Sequence, residues 1–180
     1  MLGTKGIPKH RRRGAELLEF TFVLLPMLAI LMVLIDASWA IFAKAALQHA
    51  VQLAVRNGIT ITGTQATAAS ETLTQMVKDT VQSNALGLLS GTTGRSYIQV
   101  HYFAQDSTSA TGVTDVSTLL SGNAPGNLMQ VSVNNFPLSA LAPRIYGWFG
   151  SPDKAPTNVN VSSADKIEPS SDVPPIGTAP

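Results

Sequence analysis

The chain has 180 residues, room for one domain of ordinary size plus a segment or two. Hydrophobic residues make up 44% and charged residues 13%, which excludes a disordered polyelectrolyte, and a formal net charge of +1 excludes a strongly basic nucleic-acid binder. The absence of cysteine removes disulfide frameworks, thiolate metal sites and thiol nucleophiles together.

The charges are unevenly spread. Five of the 12 basic residues, Lys5, Lys9, Arg11, Arg12 and Arg13, precede the first acidic residue, Glu16. From residue 15 onward seven basic residues face eleven acidic ones, a net of −4. The stretch Gly14-Ala15-Glu16-Leu17-Leu18-Glu19-Phe20 opens a run that is nearly all apolar to Ala43, broken only by Asp36. A membrane span needs about 20 such residues. Asp36 lies about 24 Å beyond Phe20 along a helix, towards the far face of a hydrocarbon core about 30 Å thick. Trp39 then falls where an interfacial aromatic belongs. Lys9 and Arg11 to Arg13 before the run, against Lys44 alone just after it, orient the span with its N-terminus in the cytoplasm. The same arginines suit contact with the lipid bilayer, and no nucleic-acid partner is expected. The alternative is a conventional signal peptide cut after Ser38-Trp39-Ala40, releasing a secreted binding domain, or an uncleaved anchor carrying an extracytoplasmic one. Glu16 and Glu19 before the run, and its length, argue against the signal peptide.

Past the membrane, Leu47, Val51, Ala54 and Val55 continue an apolar stripe, and Asn57-Gly58 forms a stop signal. One helix over 15–58 is therefore expected, membrane-spanning first and amphipathic after. Pro26 within it removes a backbone hydrogen bond and favours a kink. Residues 59–65 read as an extended link. A second helix is expected from Ala66 to Leu89, capped by Thr64 or Thr67. Alternating residues predict strands at Ser96–Phe103, Leu128–Phe136 and Thr157–Ser162, a small antiparallel sheet with one wet face. Asp106 to Gly126 reads as a long connection with a short helix near Val116–Leu120. Tyr146, Trp148 and Phe149 lie in a Pro/Gly-rich link from Pro137 to Pro156. Residues 168–180, with four prolines, read as a disordered tail. The class is α+β, with an extracytoplasmic domain over 59–167.

No phosphate loop, dinucleotide loop, zinc-protease helix or Gly-x-Ser-x-Gly elbow is present. His10, His49 and His101 have no metal-ligand spacing, so neither an enzyme nor a cofactor is expected. Asp106 to Asp115 lacks the alternating carboxylates of a calcium loop.

The run from Arg13 through Gly14, Ala15, Glu19-Phe20 and Pro26 resembles the TadE-like pseudopilins of Tad (tight adherence, Flp-type) pili. Asp36, Trp39, Phe42 and the Ala/Gln-rich stretch Ala45 to Ala50 echo the family order, and Ala164 to Pro169 is loosely similar to its C-terminal signature. Glu16 departs from the pattern, which prefers a small or apolar residue there. The resemblance implies a minor pseudopilin of the bacterial inner membrane, its C-terminal domain periplasmic, that helps initiate or assemble an adhesive pilus. It implies that a prepilin peptidase cuts after Gly14, making residues 1–14 a leader and Ala15 a free amine. Glu19, or Glu16, would then pair with the α-amine of a neighbouring subunit. Implied partners are the peptidase, other minor pseudopilins, the major Flp-type pilin and the inner-membrane assembly platform.

Overall fold

Helix α1 runs from His10 to Gly58 and passes through Pro26 without interruption. The computed structural model describes residues 10–106, 109, 112–139 and 157–177, with side chains from residue 14 onward. The chain divides into two compact units, residues 1–39 with 140–154, and residues 40–139 with 155–180.

The described part of the first unit is the helix alone, and from Gly14 to Trp39 its residues are exposed or half-buried. In the second unit the character of α1 changes at Ala43. Ala43, Leu47, Ala50, Val51, Ala54 and Val55 are buried, at spacings of four, three, one, three and one. That stripe is the core-facing side of an amphipathic helix. Its small side chains let the backbone approach its neighbours closely. At Gly58 an added Cβ would lie 2.5 Å from Met129 Cε and 2.7 Å from Val77 Cγ2, so only glycine ends the helix here without displacing them. Arg56 in the last turn favours the negative end of the helix dipole.

The second helix expected over Ala66–Leu89 is two helices, α2 (Gly63–Ala69) and α3 (Leu73–Asn84). The break has a local cause. Ser70 adopts left-handed backbone, φ 56°, and Thr72 starts a new helix. Thr62 and Thr72, rather than Thr64 or Thr67, are the N-caps. Each side-chain oxygen accepts from the backbone N–H of a glutamine three residues on, and Gln65 and Gln75 accept the cap N–H in return. These reciprocal pairs satisfy two orphan donors apiece. The extended link expected over 59–65 is a hydrogen-bonded turn running into α2. A short helix α4 (Gly91–Ser96) leads into the sheet, and Arg95 pairs with Asp79 of α3.

The four-stranded antiparallel sheet has the order β2-β1-β3-β4, with β1 at Ile98–Gln105, β2 at Val113–Asp115, β3 at Leu128–Leu138 and β4 at Thr157–Lys166. Val100 faces Val131, and Val133 faces Val161, across neighbouring strands. Ile98, Val100, Tyr102, Met129, Val131, Val133, Val159 and Val161 are buried, and with the α1 stripe and Leu73, Val77 and Val81 of α3 they make up most of the core. Gln48 of α1 donates to the Ser162 carbonyl at 3.1 Å. A bulge between Val133 and Phe136 puts Asn135 at φ 55°, and its N–H donates to Asn160 Oδ1.

Four further differences from the sequence reading stand out. Strand β2 lies inside the long connection. Residues 116–122, expected to include a short helix, form successive turns closed by Leu119 N–H to Val116 O and Gly122 N–H to Leu119 O. Residues 168–177, expected to be a disordered tail, are tied down: Ile176 is 2% exposed, and Leu73 and Thr74 donate to the carbonyls of Pro175 and Ile176. Tyr146, Trp148 and Phe149 lie outside the described residues, and Pro137 and Leu138 belong to β3 rather than to the link.

Candidate functional site

The segment with the strongest functional signal is the first two-thirds of α1. From Gly14 to Phe42 not one side chain is buried, and Leu17, Phe22 and Ile41 are 68%, 78% and 72% exposed. A contiguous apolar surface of this extent marks an interaction or membrane-embedded site rather than a free surface. Residues 14–58 contain the one stretch among the described residues long and apolar enough to cross a membrane.

Polar groups within the stretch are arranged for such a setting. Thr21 and Ser38 turn their hydroxyls back to the carbonyls of Leu17 and Leu34, each at 2.8 Å. Both donors are therefore satisfied by the helix itself, as a lipid-facing surface requires. Asp36 is half-buried. Glu19 and Asp36 are 17 residues apart, about 26 Å along the axis, and bracket the apolar run.

All the candidate residues from Gly14 to Asp36 lie on this one helix. Gly14 is in its fifth position, exposed, and an added Cβ there would meet nothing within 4 Å. Packing gives no reason for glycine, and a glycine inside a helix costs about 1 kcal/mol relative to alanine. Ala15 and Glu19 are one turn apart on nearly the same face, with Glu16 about 100° round from Ala15. Glu16, Glu19 and Phe20 are all exposed and thus open to a neighbouring helix. Arg11, Arg12 and Arg13 open α1, whose first turn holds no acidic residue; Glu16 follows one turn after Arg12 and Arg13. Cations at a helix N-terminus oppose its dipole, so this end is the weakest part of the helix unless anions screen it. Lys9 lies outside the described residues.

Elsewhere the polar groups serve the fold. Burial pushes the Tyr102 hydroxyl up to about 12, and its hydrogen bond with Thr74 opposes that only in part. Asp115 is held below the usual carboxylate range, first by the Ser117 hydroxyl and further by Ser117 N–H and His101. His101 Nδ1 lies 3.2 Å from Asp115 Oδ2, and the ring stacks on Phe103. Ser117 donates to the carboxylate, not to the imidazole. The three are therefore not ordered as nucleophile, base and orienting acid.

Residues 14–56 match the family model of the TadE-like proteins. The match starts at the glycine that opens the exposed run and ends in the last turn of α1. It covers the TadE-like helix and leaves the sheet beyond it unmatched. The matched stretch lies on a helix long and apolar enough to span a membrane once. No curated protein and no solved structure matches the chain.

The docked segment 168–177 is what sequence reasoning missed. Its signal was Val173 and Ile176, apolar residues spaced among prolines and read only as tail composition.

Proposed function

We propose that the chain is a minor pseudopilin of a Tad-type pilus, held in the bacterial inner membrane by α1 with its N-terminus cytoplasmic and its α+β domain periplasmic. The observation that carries this reading is the coincidence of the TadE-like match with the exposed apolar stretch of α1 from Gly14 to Phe42, in which no side chain is buried.

The physical sequence of events is short. The basic segment keeps the N-terminus on the cytoplasmic side, where each cation near an anionic leaflet contributes about 1 kcal/mol. A prepilin peptidase cuts between Gly14 and Ala15, at the end of α1 that opens most easily. The cut creates an α-amine beside a span whose only nearby carboxylates are Glu16 and Glu19. An isolated charge near hydrocarbon is expensive, so amine and carboxylate seek each other. Glu19, on nearly the same face as Ala15 and one turn further in, takes the amine of an adjacent subunit and sets the stagger between helices. Pro26 leaves one carbonyl of the span without its helical donor, which softens the segment during packing or extraction. The periplasmic domain contacts other minor pseudopilins, while the helix meets the major Flp-type pilin and the assembly platform.

Removal of the protein from a bacterium that makes Tad pili tests this role. Piliation, scored by electron microscopy, should be lost and restored by the intact chain but not by residues 41–180 exported alone. Normal piliation without the protein would reject the assembly role.

A further inference from the structure

Residues 168–177 have no regular secondary structure, yet they bind three separate parts of the domain. Asp172 accepts from the N–H groups at the start of α2: its carbonyl takes Gly63 N–H at 3.1 Å, and its carboxylate takes Thr64 N–H at 2.8 Å and the Thr64 hydroxyl. Pro175 and Ile176 carbonyls take the first two N–H groups of α3, at 2.8 and 3.3 Å. The Asn123 side-chain amide donates to the Pro174 carbonyl. Pro174 and Ile176 are buried, while Glu168 to Ser171, Val173, Pro175 and Gly177 are exposed. Two glycines make the approach possible. A Cβ on Gly63 would strike the Asp172 carboxylate, and Gly177, at φ 72°, lies against the Thr72 side chain.

This is how a peptide sits in a groove rather than how a strand sits in a sheet. Its carbonyls are read by fixed donors, and Ile176 fills an apolar slot. The seam beneath it is incomplete. A cavity of about 20 Å³ lies between the segment and the body, lined in part by Asn123, Ile59, Leu73 and Pro174. Asn123 is 2% exposed, and its Oδ1 has no hydrogen-bond partner. A proline carbonyl can only accept, so Nδ2 must face Pro174 and Oδ1 is left towards the seam. The helix N–H groups that the segment satisfies are first-turn donors, which water can take over when it leaves. Pro169, Pro174 and Pro175 limit the conformations lost on return.

We propose that residues 168–177 are a releasable latch: they occupy a peptide-binding groove, made by the first turn of α3, Asn123 and the start of α2, whose ligand class is an extended proline-containing segment with an aliphatic anchor. The occupant is this chain's own segment, released by local opening while the sheet stays folded.

Hydrogen exchange of the full chain in lipid nanodiscs tests the latch. The amides of Gly63, Leu73 and Thr74 should exchange together and faster than those of β1 and β3. Ile176→Ala should speed those three by on the order of 30-fold while leaving the sheet unchanged. Exchange of the three at the sheet's rate, or equal acceleration everywhere, would show a segment that leaves only on global unfolding and overturn the proposal. A labelled peptide of residues 168–180 tests the groove. It should bind the full chain carrying Ile176→Asp and leave the wild type unbound at the same concentration. No binding to a variant whose sheet amides stay protected, or loss of sheet protection in that variant, would also overturn it.

Discussion

Substitution of Gly14 separates the helix's own preferences from those of a peptidase. Gly14 is exposed in the fifth position of α1, and nothing lies within 4 Å of the Cβ it lacks. The chain itself therefore admits any side chain there. Replacing glycine by alanine or leucine stabilises the helix by about 1 kcal/mol. Cleavage of a transiently opened segment tracks the open population, which falls about fivefold for that energy. Gly14→Ala and Gly14→Leu carry nearly the same conformational penalty, because both residues are good helix formers. Any loss beyond about fivefold in Gly14→Leu must arise where the peptidase receives the side chain. The expected outcome is slowed but complete leader removal in Gly14→Ala, and none in Gly14→Leu. Pulse-labelling with a co-expressed prepilin peptidase, read by gel mobility and intact mass, measures both. Cleavage of Gly14→Leu within about fivefold of wild type would refute the assignment of Gly14 as the residue before the cut.

Glu19→Ala should be processed normally yet fail to restore piliation, whereas normal piliation would remove the pairing role. Leu47→Ala, at a fully buried site on α1, should destabilise the domain by about 2–5 kcal/mol, while Leu31→Ala on the exposed stretch should leave its melting temperature unchanged; calorimetry in detergent distinguishes them. Asp172 is held below the usual carboxylate range, first by the Thr64 hydroxyl and then by Thr64 N–H. Its folded value is depressed, so its stabilisation is complete above the unfolded range near about pH 4 and is lost as pH falls through the lower folded value. The melting-temperature gap between wild type and Asp172→Asn should therefore close on acidification below about pH 4, and a constant gap would contradict the linkage.

The long helix was legible because its signals agree: a charge-poor apolar run, then a stripe of period 3.6, then Asn57-Gly58. The three main strands were legible from alternation, though β1 lies two residues later than expected, Ser96 ending α4 instead, and β3 and β4 extend two and four residues further. The division between α2 and α3 was written in the sequence but overlooked. Thr62-Gly63-Thr64-Gln65 and Thr72-Leu73-Thr74-Gln75 repeat one capping pattern. A continuous apolar periodicity across 66–89 masked it. Strand β2 has three residues and no alternation long enough to register, since it exists through pairing of Phe103 to Gln105 with Val113 to Asp115. The segment 168–177 failed for a different reason. Low aromatic content and many prolines describe a chain that cannot build its own core, and say nothing about a core built elsewhere that offers it a slot. The placement of the candidate residues was legible because it is local: Gly14, Ala15, Glu16, Glu19, Phe20, Pro26 and Asp36 share one helix, and no tertiary contact was needed to bring them together. The structure added that this helix leaves every one of those side chains outside the core.

The mature N-terminus tests the central claim most directly. Protein recovered from the membrane of cells containing a prepilin peptidase should begin at Ala15 by Edman sequencing or intact mass. An N-terminus at Ile41, or an intact Met1 in the same cells, would contradict it.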